Sequence, residues 1–66
     1  MRLVINGQEQ EHKTGITLGE LLENLHIPAA AVVVERNTQI VPKDALLSQI
    51  LEEGDTLEIV RLVAGG

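Results

Sequence analysis

The first residues of the chain alternate between apolar and polar side chains, and this alternation predicts a β-hairpin. Leu3 and Ile5 share one face of residues 1–6, the two-residue period of a strand with one buried face. Asn6-Gly7 follows, a pair that favours the positive φ angles needed at both central positions of a type I′ turn. The return strand, residues 8–13, is polar on both faces. This is typical of a sheet edge, where charges discourage pairing with other chains.

The next segment has a helical period and clear boundaries, and a helix is predicted for about residues 17–26. Thr17 and Glu20 have the spacing of a capping box, in which each side chain bonds to the backbone of the other. Pro28 disfavours helical backbone angles at the residue before it, so the helix ends near residue 25 or 26. Four leucines at positions i, i+3, i+4 and i+7 form one apolar stripe: Leu18, Leu21, Leu22 and Leu25.

The middle of the chain predicts two strands and one less regular stretch. A β-branched run at residues 31–35 is typical of a buried strand, and a turn at 36–38 leads to a short strand at 39–41. In residues 43–53 the signals are mixed. Asp44 can cap one short helical turn near residues 44–48, and Ile50 or Leu51 then packs inward.

The last regular element, residues 56–62, again alternates. Leu57 and Ile59 fall on one face, and the other face carries Glu58, Val60 and Leu62. Because one amphipathic helix can cover only one face of a sheet, the element order predicts an α+β domain of two layers. Its mixed sheet has four to five strands, and the single main helix covers one of its faces.

The uncovered face of this sheet is the predicted partner-docking patch. Aliphatic side chains on an open sheet face, next to the end of the chain, mark a surface that a partner protein can cover. The residues predicted for this patch are Val4, Glu58, Val60 and Leu62.

Beyond Leu62 the side chains become small, and the sequence ends in Gly65-Gly66. Residues 1–63 are therefore predicted to form the domain and residues 64–66 a flexible C-terminal tail. Glycine has no Cβ and alanine has only a methyl group, so Ala64 and Gly65 can thread a channel too narrow for larger residues. Four extended residues reach about 13 Å. This suits delivery of the Gly66 carboxylate to another protein's active site, where ATP can activate it as an acyl-adenylate.

Composition narrows the classes of function. Sixty-six residues make one domain, and the absence of cysteine excludes a thiol nucleophile, a cysteine metal site and disulfides. The net charge of −5 argues against nucleic acid and fits a basic docking surface on a protein partner. No apolar stretch is long enough for a signal peptide or a membrane span, so a cytoplasmic protein is expected.

The chain offers no catalytic constellation of its own. His12 and His26 have no second ligand at helical metal spacing, so no metal site is predicted. No phosphate-binding glycine motif is present, and Ser48 has no base beside it. We therefore expect a protein that is not an enzyme and that binds no cofactor.

Several short segments, in this order, resemble the ThiS family of sulfur carriers in thiamine biosynthesis. The resemblance covers essentially the whole chain and implies the ubiquitin-like β-grasp fold. Ala64 stands where many members have a third glycine, and it keeps the small size of that position. The matching segments are Asn6-Gly7, the helix start at Thr17, Val34-Glu35-Arg36-Asn37, Ile40-Val41-Pro42, Gly54-Asp55, Glu58-Ile59-Val60 and Gly65-Gly66.

The resemblance also implies a mechanism and partners. A ThiF-like adenylyltransferase uses Mg-ATP to convert Gly66 into a glycyl adenylate, and sulfur from a persulfide donor then produces the thiocarboxylate (1-thioglycine). A ThiG-like thiazole synthase takes that sulfur into the thiazole ring. In this scheme the chain is a co-substrate, and the partners supply all acid, base and metal chemistry.

Three alternatives share parts of this pattern. A sulfur carrier resembling the small subunit of molybdopterin synthase would have the same fold and activation chemistry but a different acceptor. A protein modifier would be joined through Gly66 to lysines of other proteins. A β-grasp binding module would carry its diglycine end incidentally.

Overall fold

Five strands and one α-helix are formed by residues 1–62, which are the residues that the structure, a computed structural model, describes. Single 3₁₀ turns at Ala29–Ala31 and Lys43–Ala45 connect them. The helix α1 is Leu18–Asn24. The strands are β1 (Arg2–Ile5), β2 (Gln8–Glu11), β3 (Val32–Arg36), β4 (Gln39–Ile40) and β5 (Thr56–Arg61).

The strands form one mixed sheet in the order β2-β1-β5-β3-β4. β5 runs parallel to β1 and antiparallel to β3, while both hairpins are antiparallel. The polar strand β2 lies at an edge, as its composition predicts. The two-layer α+β fold with a mixed sheet and one main helix is confirmed.

Backbone conformation in the two hairpin turns follows the sequence. Asn6 and Gly7 have φ angles of 49° and 83°, which confirms the predicted turn with two positive φ angles. Asn37 and Thr38 occupy the equivalent positions between β3 and β4, with φ angles of 50° and 74°. Asparagine tolerates this left-handed region better than most residues, whereas a β-branched threonine does not.

The start of α1 confirms the capping box. Thr17 Oγ1 accepts from the Glu20 N–H at 3.1 Å, and Glu20 Oε1 accepts from the Thr17 N–H at 2.9 Å. The other early donors bond to the connecting segment after β4. The N–H of Leu18 donates to the Gln49 carbonyl at 2.7 Å, and that of Gly19 donates to the Leu47 carbonyl at 3.2 Å.

The helix ends where the sequence predicts, through a closure centred on His26. The Ile27 N–H donates to the Leu22 carbonyl at 2.8 Å, and the His26 N–H donates to the Glu23 carbonyl at 3.0 Å. These bonds form a Schellman motif, with His26 at φ 59° in the position that glycine usually takes. Pro28 lies just beyond this closure and does not itself make the turn.

The segment between β4 and β5 differs in part from its prediction. Its helical turn is Lys43–Ala45 rather than residues 44–48, and Asp44 does not cap it, because the turn begins after Pro42 with no side-chain bond. Leu51 packs inward, as one of the two predicted alternatives has it, whereas Ile50 is exposed. The Leu51 N–H also donates to the Ile16 carbonyl at 3.0 Å, so this segment lies along the entry to α1.

The core between helix and sheet is entirely aliphatic. Leu3, Ile5 and Leu57 face the helix as predicted, and Ile59 packs against the core from its edge. The buried core side chains are Leu3, Ile5, Ile16, Leu18, Leu21, Leu22, Val32, Val34, Val41, Leu46, Leu51 and Leu57.

Asp55 is the one buried polar residue among those that the structure describes, with 5% of its surface exposed. Its carboxylate accepts hydrogen bonds from Arg36 Nε at 2.8 Å, Asn37 Nδ2 at 3.0 Å and the Glu52 N–H at 2.8 Å. Burial by itself raises the pKa of Asp55, but the hydrogen bonds and the guanidinium charge outweigh it and hold the pKa below its usual value. The carboxylate thereby joins the β3–β4 turn to the start of β5.

Gly19 supports a stability prediction that runs against helix propensity. Alanine in place of glycine inside a helix usually stabilises it by about 1 kcal/mol. At Gly19, however, a Cβ would lie 2.7 Å from the Leu47 carbonyl oxygen, which is fixed backbone. We expect Gly19→Ala to lower the free energy of unfolding by about 1–3 kcal/mol in urea denaturation, as overpacking does. Glu23→Ala, on the exposed side of the same helix, serves as the control, and a stabilised Gly19→Ala would contradict the close approach.

Candidate partner-docking site

The site is organised by β5, whose exit from the sheet sets where the C-terminal residues begin. β5 pairs with β3 from Arg36↔Leu57 to Val32↔Arg61. One residue further, the Leu62 N–H donates to the Ala31 carbonyl at 2.7 Å. The backbone is therefore held in the sheet through the last described residue. The predicted boundary between residues 63 and 64, and the predicted tail residues Ala64, Gly65 and Gly66, lie outside the described residues.

On the other side of β5, the side chain of Asn6 continues the pairing that β1 begins. The two strands pair at Val4↔Thr56 and Ile5↔Leu57 before β1 turns away at Asn6. Asn6 Oδ1 then accepts from the Ile59 N–H at 2.8 Å, and Asn6 Nδ2 donates to the Ile59 carbonyl at 3.4 Å. The amide group thus satisfies both backbone groups of Ile59 in place of a neighbouring strand.

Asn37 performs a similar role at the opposite end of β5. Its backbone N–H donates to the Thr56 carbonyl at 2.8 Å, and its Oδ1 accepts from the Thr56 N–H at 2.9 Å. The sequence predicted only turns for the Asn6 and Asn37 regions. An asparagine at a predicted turn was the signal available for this second role, because its side-chain amide can bond to nearby backbone groups.

The four residues predicted for the patch all lie on the sheet face opposite the helix. Glu58, Val60 and Leu62 follow one another along that face of β5, and Val60 and Leu62 are 53% and 48% exposed. Val4 is half-buried and lies beside Thr56, four residues before Val60. At about 3.3 Å per residue, Val4 is therefore about 13 Å from Val60 along the strand direction. The structure brings three of the four together and places Val4 at the far end of the same face.

Three further residues lie on this face that were not predicted for the patch. Val33 lies directly opposite Val60, and Glu35 directly opposite Glu58. Ile40 pairs with Glu35 from the other side and is 65% exposed. Val32, Val33 and Val34 are consecutive, so the sequence shows no alternation of apolar and polar residues there. Such a run predicts a strand buried on both faces, and it hides the fact that Val33 lies on the uncovered one. We give the name open face to the following seven residues of this surface: Val4, Val33, Glu35, Ile40, Glu58, Val60 and Leu62.

Among residues 1–62, no group of three or more His, Asp or Glu side chains is arranged to hold a metal ion. No helix in the same part of the chain is both long and apolar enough to cross a membrane.

A five-stranded mixed sheet, one face under a single helix, with a C-terminal strand in its centre, defines a ubiquitin-like β-grasp domain. The crystal structure of the thiamine biosynthesis protein ThiS from Geobacter metallireducens has this fold. It superposes with a TM-score of 0.85, covers all of both chains and has 28% sequence identity. The sequence profile of the ThiS family matches residues 2–66, and the chain belongs to this family.

Two curated relatives show how the domain occurs elsewhere. The sulfur carrier protein ThiS of Escherichia coli K12 is 33% identical over the full length of both chains. A thiazole synthase of Paramagnetospirillum magneticum is 42% identical over all of this chain, which spans 20% of that longer protein. The chain is therefore similar both to a free-standing carrier and to one part of a thiazole synthase.

The Asn6 amide allows a test of how the end of β5 is held. Asn6→Gly keeps a residue that accepts a positive φ angle but removes both bonds to Ile59. We expect it to lower the free energy of unfolding by about 1–2 kcal/mol and to speed amide hydrogen exchange at Ile59. Thr38→Gly is the matched control, because Thr38 also has a positive φ angle and its hydroxyl makes no hydrogen bond among residues 1–62. Unchanged exchange at Ile59 in Asn6→Gly would show that the turn alone matters.

Proposed function

We propose that this chain is a sulfur carrier in thiamine biosynthesis and that Gly66 is the residue that carries the sulfur. The observation that carries the proposal is the family match, which runs from residue 2 to residue 66 and so includes the diglycine end. The fold gives it physical support, since β5 is bonded into the sheet through Leu62 and ends beside an exposed aliphatic face.

The proposed chemistry takes place at the Gly66 carboxylate. One carboxylate oxygen attacks the α-phosphorus of Mg-ATP in a ThiF-like adenylyltransferase, pyrophosphate leaves, and a glycyl adenylate forms. The terminal sulfur of a persulfide donor then bonds to the acyl carbon, and AMP leaves. A thiol cleaves the remaining S–S bond, which leaves the 1-thioglycine thiocarboxylate for a ThiG-like thiazole synthase. The chain acts as co-substrate, binds no cofactor itself, and works in the cytoplasm, where its activating partner finds ATP.

In this proposal the domain and the C-terminal residues have separate tasks. Val4, Glu58, Val60 and Leu62 dock on the partner, with most contact at the Val60 end, where the aliphatic side chains are close together. Ala64 and Gly65 thread into the partner's active site, because neither has a side chain larger than a methyl group.

Two relatives favour a thiazole synthase over a molybdopterin synthase as the enzyme that receives the sulfur. A segment similar to this chain forms part of a longer protein named thiazole synthase, and a second such protein, from Magnetococcus marinus, is 33% identical over the same 66 residues. Covalent linkage raises the effective concentration of two modules that work together. This supports a thiazole synthase as the protein that receives the sulfur.

The proposal is tested by mass spectrometry of the intact chain. After incubation with a purified ThiF-like adenylyltransferase, Mg-ATP and a persulfide donor, we expect the mass increase that results from replacing one oxygen by sulfur at Gly66. A variant without Gly66, or with Gly65→Leu, should keep the melting temperature and show no exchange. Full sulfur transfer to either variant would contradict the assignment of Gly66, and linkage of the wild type to lysines would favour a protein modifier.

The docking patch is tested separately from the chemistry. Val60→Asp and Leu62→Asp place a charge on exposed positions of the open face, so we expect adenylyltransferase affinity, measured by calorimetry, to fall about tenfold or more. The free energy of unfolding should change by no more than about 1 kcal/mol, the range of sheet propensities. Ile50→Asp is the control, since Ile50 is 57% exposed and lies outside the open face. An equal loss of affinity in all three variants would argue against a localised patch.

A further inference from the structure

Two glutamates lie side by side on the open face. Glu35 of β3 and Glu58 of β5 are directly opposite each other in an antiparallel pair, where Cα atoms are about 5.5 Å apart. Like charges in this position destabilise a sheet. The pair therefore does not stabilise the free domain, and a role in binding a partner would account for it.

Within residues 1–62, no cation pairs with these glutamates to offset the repulsion. Neither Glu35 nor Glu58 forms an ion pair within residues 1–62, although the chain has five lysines and arginines. Arg61 is adjacent in sequence to the open face but lies opposite Val32, on the other side of the sheet. The cations that do form ion pairs with side chains are the N-terminal ammonium with Glu11, Arg2 with Glu9 and Glu53, Lys13 with Glu20, and Arg36 with Glu52 and Asp55.

Apolar side chains flank the two carboxylates. Ile40 lies beside Glu35 on the outer strand, and the directly opposed pair Val33 and Val60 forms the next row on the same face. A partner that covers both Ile40 and Val60 must therefore also cover Glu35 and Glu58.

Covering these carboxylates has a large electrostatic cost unless the partner supplies a positive charge. Removing a carboxylate from water without a counter-charge costs several kcal/mol, so an entirely apolar partner surface would not bind here. A guanidinium has five N–H donors in a planar fork and can bond to two carboxylates at once. Arginine is also more weakly hydrated than lysine and is favoured at such interfaces.

We propose that the open face recognises a partner surface in which an arginine is surrounded by apolar residues, and that its guanidinium lies between Glu35 and Glu58. The aliphatic side chains Val33, Ile40 and Val60 contact the apolar surround. This inference rests on the proposed function, in which the partner is the ATP-dependent adenylyltransferase. Within that function it identifies the feature by which the partner distinguishes this face from the rest of an acidic domain.

The double variant Glu35→Gln/Glu58→Gln separates the two effects of the pair. Glutamine keeps size and polarity but removes the repulsion, so the melting temperature of the free domain should rise. The affinity for a purified ThiF-like adenylyltransferase should fall by at least about tenfold, because the arginine loses its counter-charges. The salt dependence of binding should also decrease. Stability and affinity thus change in opposite directions, which a simple structural role cannot produce.

Glu23→Gln is the matched control, because Glu23 is an exposed glutamate on the helix, on the other side of the molecule. It should leave affinity within about twofold, since a distant exposed charge acts only through the screened overall field. If the double variant binds as the wild type does, or if Glu23→Gln loses as much affinity, the inference is wrong while the proposed function stands. A lower melting temperature in the double variant would also overturn it. If the wild type neither binds the adenylyltransferase nor acquires sulfur, the proposed function fails as well.

Discussion

The whole sheet depends on the backbone hydrogen bonds of β5, the central strand, which joins the hairpin β1–β2 to the hairpin β3–β4. β1 comes from the first residues and pairs with it in parallel, and β3 pairs with it from the middle of the sequence. β1 turns away at Asn6, before β5 ends, and β3 turns away at Asn37, beside the first residue of β5. At those points the side chains of Asn6 and Asn37 bond to the backbone groups of Ile59 and Thr56. Unpaired backbone groups in a central strand would lower the free energy of unfolding, and the two side-chain amides prevent this by bonding to them. This explains asparagine at both turns.

The pairing of β5 also determines where the last described residue of the domain lies. Because β5 is held on both sides, its direction and the position of Leu62 are set by long-range pairing rather than by the last residues themselves. The bond from Leu62 to Ala31 extends this control to the final described residue. Buried Asp55 has the corresponding role at the start of the strand, where its carboxylate joins the β3–β4 turn to the residues that precede β5.

Much of this fold could be predicted from local signals in the sequence, because the elements concerned are determined by residues close together in the chain. Each of these signals spans only a few residues: the capping box at Thr17, the turn with two positive φ angles at Asn6-Gly7, and the apolar alternation in β5. The strand order, the network of Asp55 and the pairing of Glu35 with Glu58 depend on contacts between distant segments. No local period shows such contacts. The segment 43–53 was predicted poorly for the same reason, since its backbone is held by α1 and by Ile16 rather than by its own propensities.

The open face combines two properties that oppose each other in solution. A single helix leaves one side of the sheet uncovered, so Ile40, Val60 and Leu62 remain about half exposed or more, and such a surface favours association of identical copies. Two copies meeting through this face would bring four carboxylates of Glu35 and Glu58 together without a cation. The net charge of −5 adds a weaker repulsion at longer range. The same carboxylates that oppose self-association attract a basic partner, so one pair of residues excludes the wrong contact and favours the right one.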